Sequence, residues 1–251
     1  MQAQTVIVTG FSAKGYDEYG RRFLQTFEQY NNGYPLHVYT EDIPLIGGFA
    51  ADVKQYSQSD IPGLDNFLAS SVGVPVQKGK ENNGHWRPKE IKAGYSYRFD
   101  AYKFCKMVYT MQAAAQRIGN GYMVWLDGDT VIRQAIPKDL VKKSLSDNSD
   151  FAYLGREPKH TETGYLVFKL PEAMPLLDRW VEFYRSRSFL MQNEWHSAYL
   201  FDRARELRPE IKGHNLTPGG RGHVIHKCWV GDIFDHQKGA RKGMAKSPEA
   251  K

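Results

Sequence analysis

The segment Tyr122-Met-Val-Trp-Leu126 runs directly into Asp127-Gly128-Asp129. A mostly apolar run of this length reads as a buried strand, so the chain must carry two carboxylates at the end of an interior strand. Alternate residues of an extended chain point the same way, which allows Asp127 and Asp129 to converge on one cation. Gly128 removes a side chain where a ligand would approach closely. Hard oxygen ligands of this kind suit Mg²⁺ or Mn²⁺, ions that keep waters and a substrate diphosphate in their shell. The plain alternative is a strand-to-turn Asp-Gly with two solvated acids.

The chain before this strand has an α/β rhythm. Thr5–Thr9 is expected as a first strand, ending at Gly10. The turn Gly10-Phe-Ser-Ala-Lys-Gly15 lacks both the Gly-Lys-Ser/Thr ending of a phosphate loop and the dinucleotide Gly-x-Gly-x-x-Gly spacing. Asp17 and Glu18 lead a helix with Phe23, Leu24, Phe27 and Tyr30 at helical spacing, stopped by Asn31-Asn-Gly33. Leu36–Tyr39 is a second strand, with Thr40-Glu41-Asp42 at its end. Strand, helix, strand with short loops predicts a parallel α/β sheet.

Residues 44–96 are irregular and rich in Gly, Pro, Asn and Ser, with Phe67 and Trp86 as anchors. A long irregular stretch inside a domain is often functional. The spacing of Ala101, Phe104, Cys105, Val108, Met111, Ala115 and Ile118 predicts a helix over 99–118. Arg98 stands at its start and Lys103 lies off its apolar stripe. Further on, a helix is expected over 137–145, strands over 151–154 and 165–168, and a helix opened by Pro171 that carries Leu177, Trp180, Val181 and Tyr184. A helix over 194–207 should bury Trp195, Ala198 and Tyr199, and 224–230 reads as a late strand. The end of the chain is basic and polar.

Composition sets broad limits. A chain of 251 residues forms one sizeable domain. Hydrophobic content of 41% and charged content of 25% are ordinary for a globular protein. The net charge of +6 favours anionic partners without choosing between a nucleotide-sugar and nucleic acid. Two cysteines give no disulfide framework and suit a reduced, cytoplasmic setting. No apolar run approaches the roughly 20 residues of a transmembrane span, and the N-terminus has no secretory pattern.

Near the end of the chain stands Gly231-Asp-Ile-Phe-Asp235-His236-Gln-Lys-Gly239-Ala-Arg-Lys242. His236-x-x-Gly239-x-x-Lys242 resembles the C-terminal His-x-x-Gly-x-x-Lys element of glycogenin and lipopolysaccharide-galactosyltransferase type retaining enzymes, which works there with an Asp-x-Asp. Asp127-Gly-Asp129 matches that second pattern. The chain is also similar to uncharacterised phage and bacterial glycosyltransferases through Arg98–Phe104, Trp125–Asp129, Glu162–Gly164 and Trp195-His196. Related sequences tend to carry Asp after Trp-His, where this chain has Ser197.

The resemblance covers most of the chain outside 44–96. It implies a single GT-A domain with a mixed, mainly parallel central sheet flanked by helices. Residues 1–130 would form the nucleotide-sugar half, 131–243 the acceptor half with the C-terminal element, and 244–251 a tail. It implies Mn²⁺ or Mg²⁺ held by Asp127, Asp129 and His236. The donor would be a nucleotide-sugar, a UDP-sugar first, contacted by Thr9, Gly10, Glu41, Asp42, Arg98, Lys103, Asp127, Gly128, Gly239 and Lys242. Glu162 with Gly164 would meet the transferred sugar, and Glu194, His196 and Asp202 the acceptor. A surface glycan is the expected acceptor. Hydroxymethylated pyrimidine in phage DNA is the alternative, with Arg185, Arg187, Arg203, Arg205 and Arg208 tracking phosphates and Trp86, between His85 and Arg87, stacking where the base is extruded.

Three other readings use the same residues. Asp127-Gly-Asp129-Thr130 also resembles the first motif of haloacid-dehalogenase-like phosphohydrolases, with Asp127 as nucleophile and Gly231-Asp232-x-x-Asp235 approximating the late acidic motif. That family places the motif on its first strand, whereas here some 120 residues precede it. A zinc site from His223, His226, Cys228 and His236 requires His226 and Cys228 to share a strand face. The third is a carbohydrate-binding module without activity.

Overall fold

The computed structural model describes residues 4–41, 43, 44, 47, 48, 51–70, 95–220, 222–243, 247 and 248. Nine strands are described: β1 (Thr5–Phe11), β2 (Leu36–Thr40), β3 (Val53–Ser57), β4 (Gly121–Leu126), β5 (Thr130–Ile132), β6 (Phe151–Arg156), β7 (Lys159–Leu170), β8 (Gly213–Asn215) and β9 (Phe234–His236). Seven form one sheet in the order β3-β2-β1-β4-β7-β6-β8. β3, β2, β1 and β4 are mutually parallel, β7 runs antiparallel to β4 and to β6, and β8 is parallel to β6. The expected mixed, mainly parallel α/β sheet is what the chain forms.

The period of two in the central strands sorts the core into two layers. Val6, Val8, Met123, Trp125, Leu166 and Phe168 face a cluster built on the helices Ala101–Ile118, Met174–Arg185 and Ser197–Glu206. Ile7, Val124, Leu126, Tyr165 and Val167 face the opposite cluster, with the helix Arg21–Tyr30 and the segment around Val224–Phe234. Both faces of the sheet are therefore covered, which is why β4 is an unbroken apolar run.

Several elements differ from the sequence expectation. The irregular stretch contains β3 and a helix Leu64–Ser70 whose Phe67 is buried. Trp86, His85 and Arg87 lie outside the described residues, as does Asp42. Ala198 is only half-buried. The expected late strand does not form: Val224–Lys227 is a 3₁₀ turn and Val230–Ile233 a short helix.

Two short strands position the C-terminal element. β5 follows Asp129 directly and pairs antiparallel with β9, setting Thr130 opposite His236. Glu162 and Gly164 fall inside β7 rather than before it. The register of β6 against β7 shifts between Tyr153 and Leu154, an irregularity of the kind that re-aims side chains beside functional sites.

Candidate active site

Asp127 and Asp129 leave β4 at the end where β1 also terminates. Backbone bonds fix the turn: Asp127 N–H donates to Gly164 O at 3.0 Å, Thr130 N–H to Asp127 O at 3.0 Å, and Gln237 N–H to Asp129 O at 2.9 Å. The Trp125 indole N–H donates to Asp127 Oδ1 at 2.8 Å. His236 Nε2 lies 3.3 Å from Asp127 Oδ2 and 3.0 Å from Asp129 Oδ1. One ligand atom from each of the three residues falls within 4.8 Å of the others.

The ring of His236 is held from behind. Its Nδ1 stands 3.3 Å from Glu162 Oε1 but out of line for a hydrogen bond, so the attraction is electrostatic. Glu162, 3% exposed, also pairs with Lys238 and with Arg156. Room for the imidazole exists because residue 164 is glycine: a Cβ there would stand 2.2 Å from His236 Nδ1. Gly128 has a related reason. Its absent Cβ would stand 2.5 Å from the Phe11 ring and 2.9 Å from Gly10 O, so protein rather than ligand makes the close approach expected there.

The charges of the cluster are strongly coupled. Burial opposes ionisation of His236, but Asp129 and Glu162 prevail and push its pKa up to about 10. Burial would likewise raise Asp129, yet His236 and Lys242 hold it well below the usual carboxylate range. Burial also opposes ionisation of Glu162, and Lys238 with His236 keeps it far below that range. Asp127, 27% exposed to the cleft, is shifted upward by desolvation and by Asp129, against His236. Two hard carboxylates and an imidazole make a donor set that fits Mn²⁺ or Mg²⁺, and the desolvated carboxylate pair favours an added positive charge.

The two aspartates open onto a cleft of about 570 Å³, with His236 buried behind them. Gly10, Glu41, Lys103, Asp127, Gly128, Asp129 and Lys242 line it, as expected from the sequence. Lys242 Nζ stands 2.9 Å from Asp129 Oδ2 and lies over the Tyr19 ring. Glu41 is paired with Lys106 at 2.7 Å, a partner the sequence reading did not identify. Gln58, Tyr19, Tyr95 and Trp125 also line the cleft and were likewise missed. Trp125 was legible, since it shares a strand face with Asp127. Thr9 is fully buried, and neither it, the exposed Gly239, nor Arg98 is among the described residues lining this cleft.

Arg98 instead stands 3.6 Å from Glu194, in a second cluster. His196 Nε2 is 2.8 Å from Glu194 Oε2, His160 Nε2 is 3.8 Å from Glu194 Oε1, and His160 Nδ1 is 3.3 Å from Asp202. Asp202 accepts from the Thr161 N–H and hydroxyl. Glu194, His196 and Asp202 are thus brought together through His160, a residue the sequence did not reveal. Phe104 packs on the His196 ring and lines the cleft, linking the two regions.

The competing readings are not supported by the geometry. Asp235 is one residue out of phase with His236 and turns away from the cleft, bonding His226 and the Ser247 N–H and lying 3.7 Å from Arg133. It does not join Asp127 as a late phosphohydrolase acid. The zinc quartet is engaged otherwise, although the His223 ring lies 5.0 Å from that of His226 and 5.9 Å from that of His236: His226 serves Asp235, His223 bonds the His236 carbonyl, and Cys228 donates to Ile225 O. The five arginines share no common cleft, for Arg185 bonds Gln112 and Arg187 bonds Ser70 O, away from Arg203 and Arg205.

No protein-family model matches the chain. Among curated relatives, a UPF0231 protein of Enterobacter sp. strain 638 is 27% identical over 96 residues, spanning 36% of this chain and 80% of that protein. The UPF0231 protein YacL of Salmonella paratyphi B is 25% identical over 84 residues, 34% of this chain and 70% of that one. Among solved structures, mouse xyloside xylosyltransferase 1 in its apo form superposes with a TM-score of 0.52 at 13% identity, covering 85% of each chain. A glycosyltransferase involved in glycosylation of the major capsid of the virus PBCV-1 gives 0.48 at 14% identity, over 95% of this chain and 97% of that one. The chain has the glycosyltransferase fold of the mouse enzyme.

Proposed function

We propose that the chain is a metal-dependent glycosyltransferase that moves a sugar, with retention, from a nucleotide-sugar to a glycan. A UDP-sugar is the donor in this reading. One observation carries it: in a fold shared with a xylosyltransferase, Asp127, Asp129 and His236 bring their ligand atoms within 4.8 Å of one another, and the two aspartates line a cleft. Asp127, Asp129 and His236 would hold Mn²⁺ or Mg²⁺, which when bound neutralises charge on a diphosphate leaving group as a Lewis acid.

The chain's own residues divide the remaining work. Trp125 orients Asp127 through its indole N–H, and Glu162 with Lys238 keeps His236 turned toward the two aspartates. Lys242 brings an ammonium to the cleft beside Asp129, where it can meet phosphate oxygens as the nucleotide departs. Lys103 and Lys106 add positive charge to the same wall. Gly10 and Glu41 line the end toward β1 and β2, the place for the nucleoside. The Glu194, His196, Asp202 and His160 group lies across Phe104 and serves the acceptor side.

The test is nucleotide release from UDP-sugars with and without Mn²⁺. Release should require the ion and vanish in Asp129→Asn. Full turnover in EDTA, or turnover of generic aryl phosphates through an adduct on Asp127, would refute the reading.

A further inference from the structure

A second concavity, of about 420 Å³, lies beside the His160 cluster and shares Asp202 with it. Its lining is strongly polar. Arg156 and Lys159 enter from the β6–β7 hairpin, Arg203 and Arg205 from the helix Ser197–Glu206, and Gly155, Gly219 and Gly220 complete the wall. Each guanidinium is anchored on one side. Arg156 reaches Glu162 at 3.4 Å, Arg203 pairs with Glu206, and Arg205 lies 4.0 Å above the Tyr153 ring.

Three of their nitrogens are buried without a hydrogen-bond partner in the protein: Arg156 Nε, Arg203 Nε and Arg205 Nη1. Each arginine has a carboxylate close by: Glu162 for Arg156, Glu206 for Arg203 and Asp202 for Arg205. Asp202 is occupied by Thr161 and His160, and lies 4.0 Å from Arg205, while Glu206 serves Arg203. Glu157 is exposed at the hairpin, as is Lys159. Preorganised guanidiniums around a polar concavity are the arrangement that receives a planar or tetrahedral oxyanion through paired N–H bonds.

The pocket is also tied to the candidate active site. Arg156 bonds both the pocket and Glu162, and Thr161 with Asp202 forms part of the pocket wall and of the His160 cluster. We infer that this pocket binds an oxyanion, a phosphate or a carboxylate, carried by the acceptor glycan. The inference rests on the glycosyl-transfer reading for the word acceptor, but the anion site stands or falls by binding alone.

The experiment is titration of the full chain with inorganic phosphate, glucuronate and glucose, followed by calorimetry and by chemical-shift changes. At least one of the two anions should bind while glucose at equal concentration does not, and which one binds identifies the group. Arg205→Gln should weaken that binding roughly tenfold, the scale of one charge-assisted hydrogen bond. Lys159→Glu, at an exposed position that does not test folding, should weaken it in the same direction. Metal-dependent nucleotide release without acceptor should be unchanged in both variants, so its loss in the wild type would count against the transfer reading and not against the pocket. Absence of binding by either anion, equal binding of glucose, or anion binding untouched by both variants would overturn the inference. Tighter binding of duplex DNA than of either small anion through the same residues would overturn it as well.

Discussion

Among the described residues, two clusters bring histidine and carboxylate side chains within metal-binding distance of one another, and they are built differently. In the Asp127, Asp129 and His236 cluster, Nε2 of the imidazole faces both aspartates while Glu162 stands behind Nδ1. That arrangement leaves Nε2 as the ligand atom and the carboxylate behind as its support. In the His160, Glu194 and His196 cluster the ring of His196 caps a helix, its Nδ1 accepting from the Tyr199 N–H. The proton of a neutral His196 therefore sits on Nε2 and is donated to Glu194. Similar residue types at similar distances thus give a candidate cation site in one place, with Nε2 facing both aspartates, and a hydrogen-bonded network in the other, where the backbone fixes the tautomer of His196.

The largest expected effect follows directly. Asp129→Asn and His236→Ala should each lower Mn²⁺ affinity by about a hundredfold or more, since even supporting residues of metal sites contribute about 10–100-fold. Titration calorimetry with Mn²⁺ and UDP reads this. His196→Ala should leave the metal affinity unchanged and cost about 1 kcal/mol of stability through the lost helix cap. Equal loss of metal binding in both clusters would erase the contrast.

A smaller effect separates support from ligation. Glu162→Gln keeps the shape but removes the charge that faces His236, Lys238 and Arg156, and should weaken Mn²⁺ by about tenfold, the lower end of the supporting-residue range. Gly164→Ala tests the same wall sterically, because its Cβ would meet the imidazole at 2.2 Å. An overpacked site of this kind costs about 1–3 kcal/mol, or roughly 2–4 °C of Tm per kcal/mol in a chain of this size. A Gly164→Ala protein with unchanged melting and metal affinity would show that His236 has another place to go.

The first cluster was legible in the sequence because its members sit on simple periodicities. Asp127 and Asp129 leave an apolar strand two residues apart, and Trp125 precedes them in the same phase. The distant partner, His236, came from resemblance; its pairing through β5 and β9 was not visible, because three-residue strands carry no pattern of their own. The late element 224–233 misled for the opposite reason, since apolar residues in short helical turns imitate a strand run. Lys238 and Lys242 lie on the C-terminal element, but only the folded chain sends one to Glu162 and the other to Asp129. His160 was silent: it belongs to the hairpin end of β7, and its partners come from residues 194–202, which topology alone brings near.

The smallest effect is a pH dependence of the second cluster. Hydrogen bonds to Asp202 and Glu194 raise the pKa of His160 to about 9 from its ordinary value near 6.5, burial opposing. A raised folded-state value means that the protonated ring stabilises the fold, fully below about pH 6.5 and progressively less as pH climbs through about 9. The ring is a third exposed, so solvent screening limits the contribution to no more than about 1 kcal/mol. Melting temperatures of the wild type should therefore fall slightly between pH 6.5 and 9 relative to His160→Gln, whose curve lacks this component. Metal affinity measured at one pH should be the same in both proteins, because His160 lies in the network and not in the cation site. A His160→Gln melting profile parallel to the wild type would show that the ring does not hold its proton. A fall in Mn²⁺ affinity in that variant would show instead that the two clusters act as one.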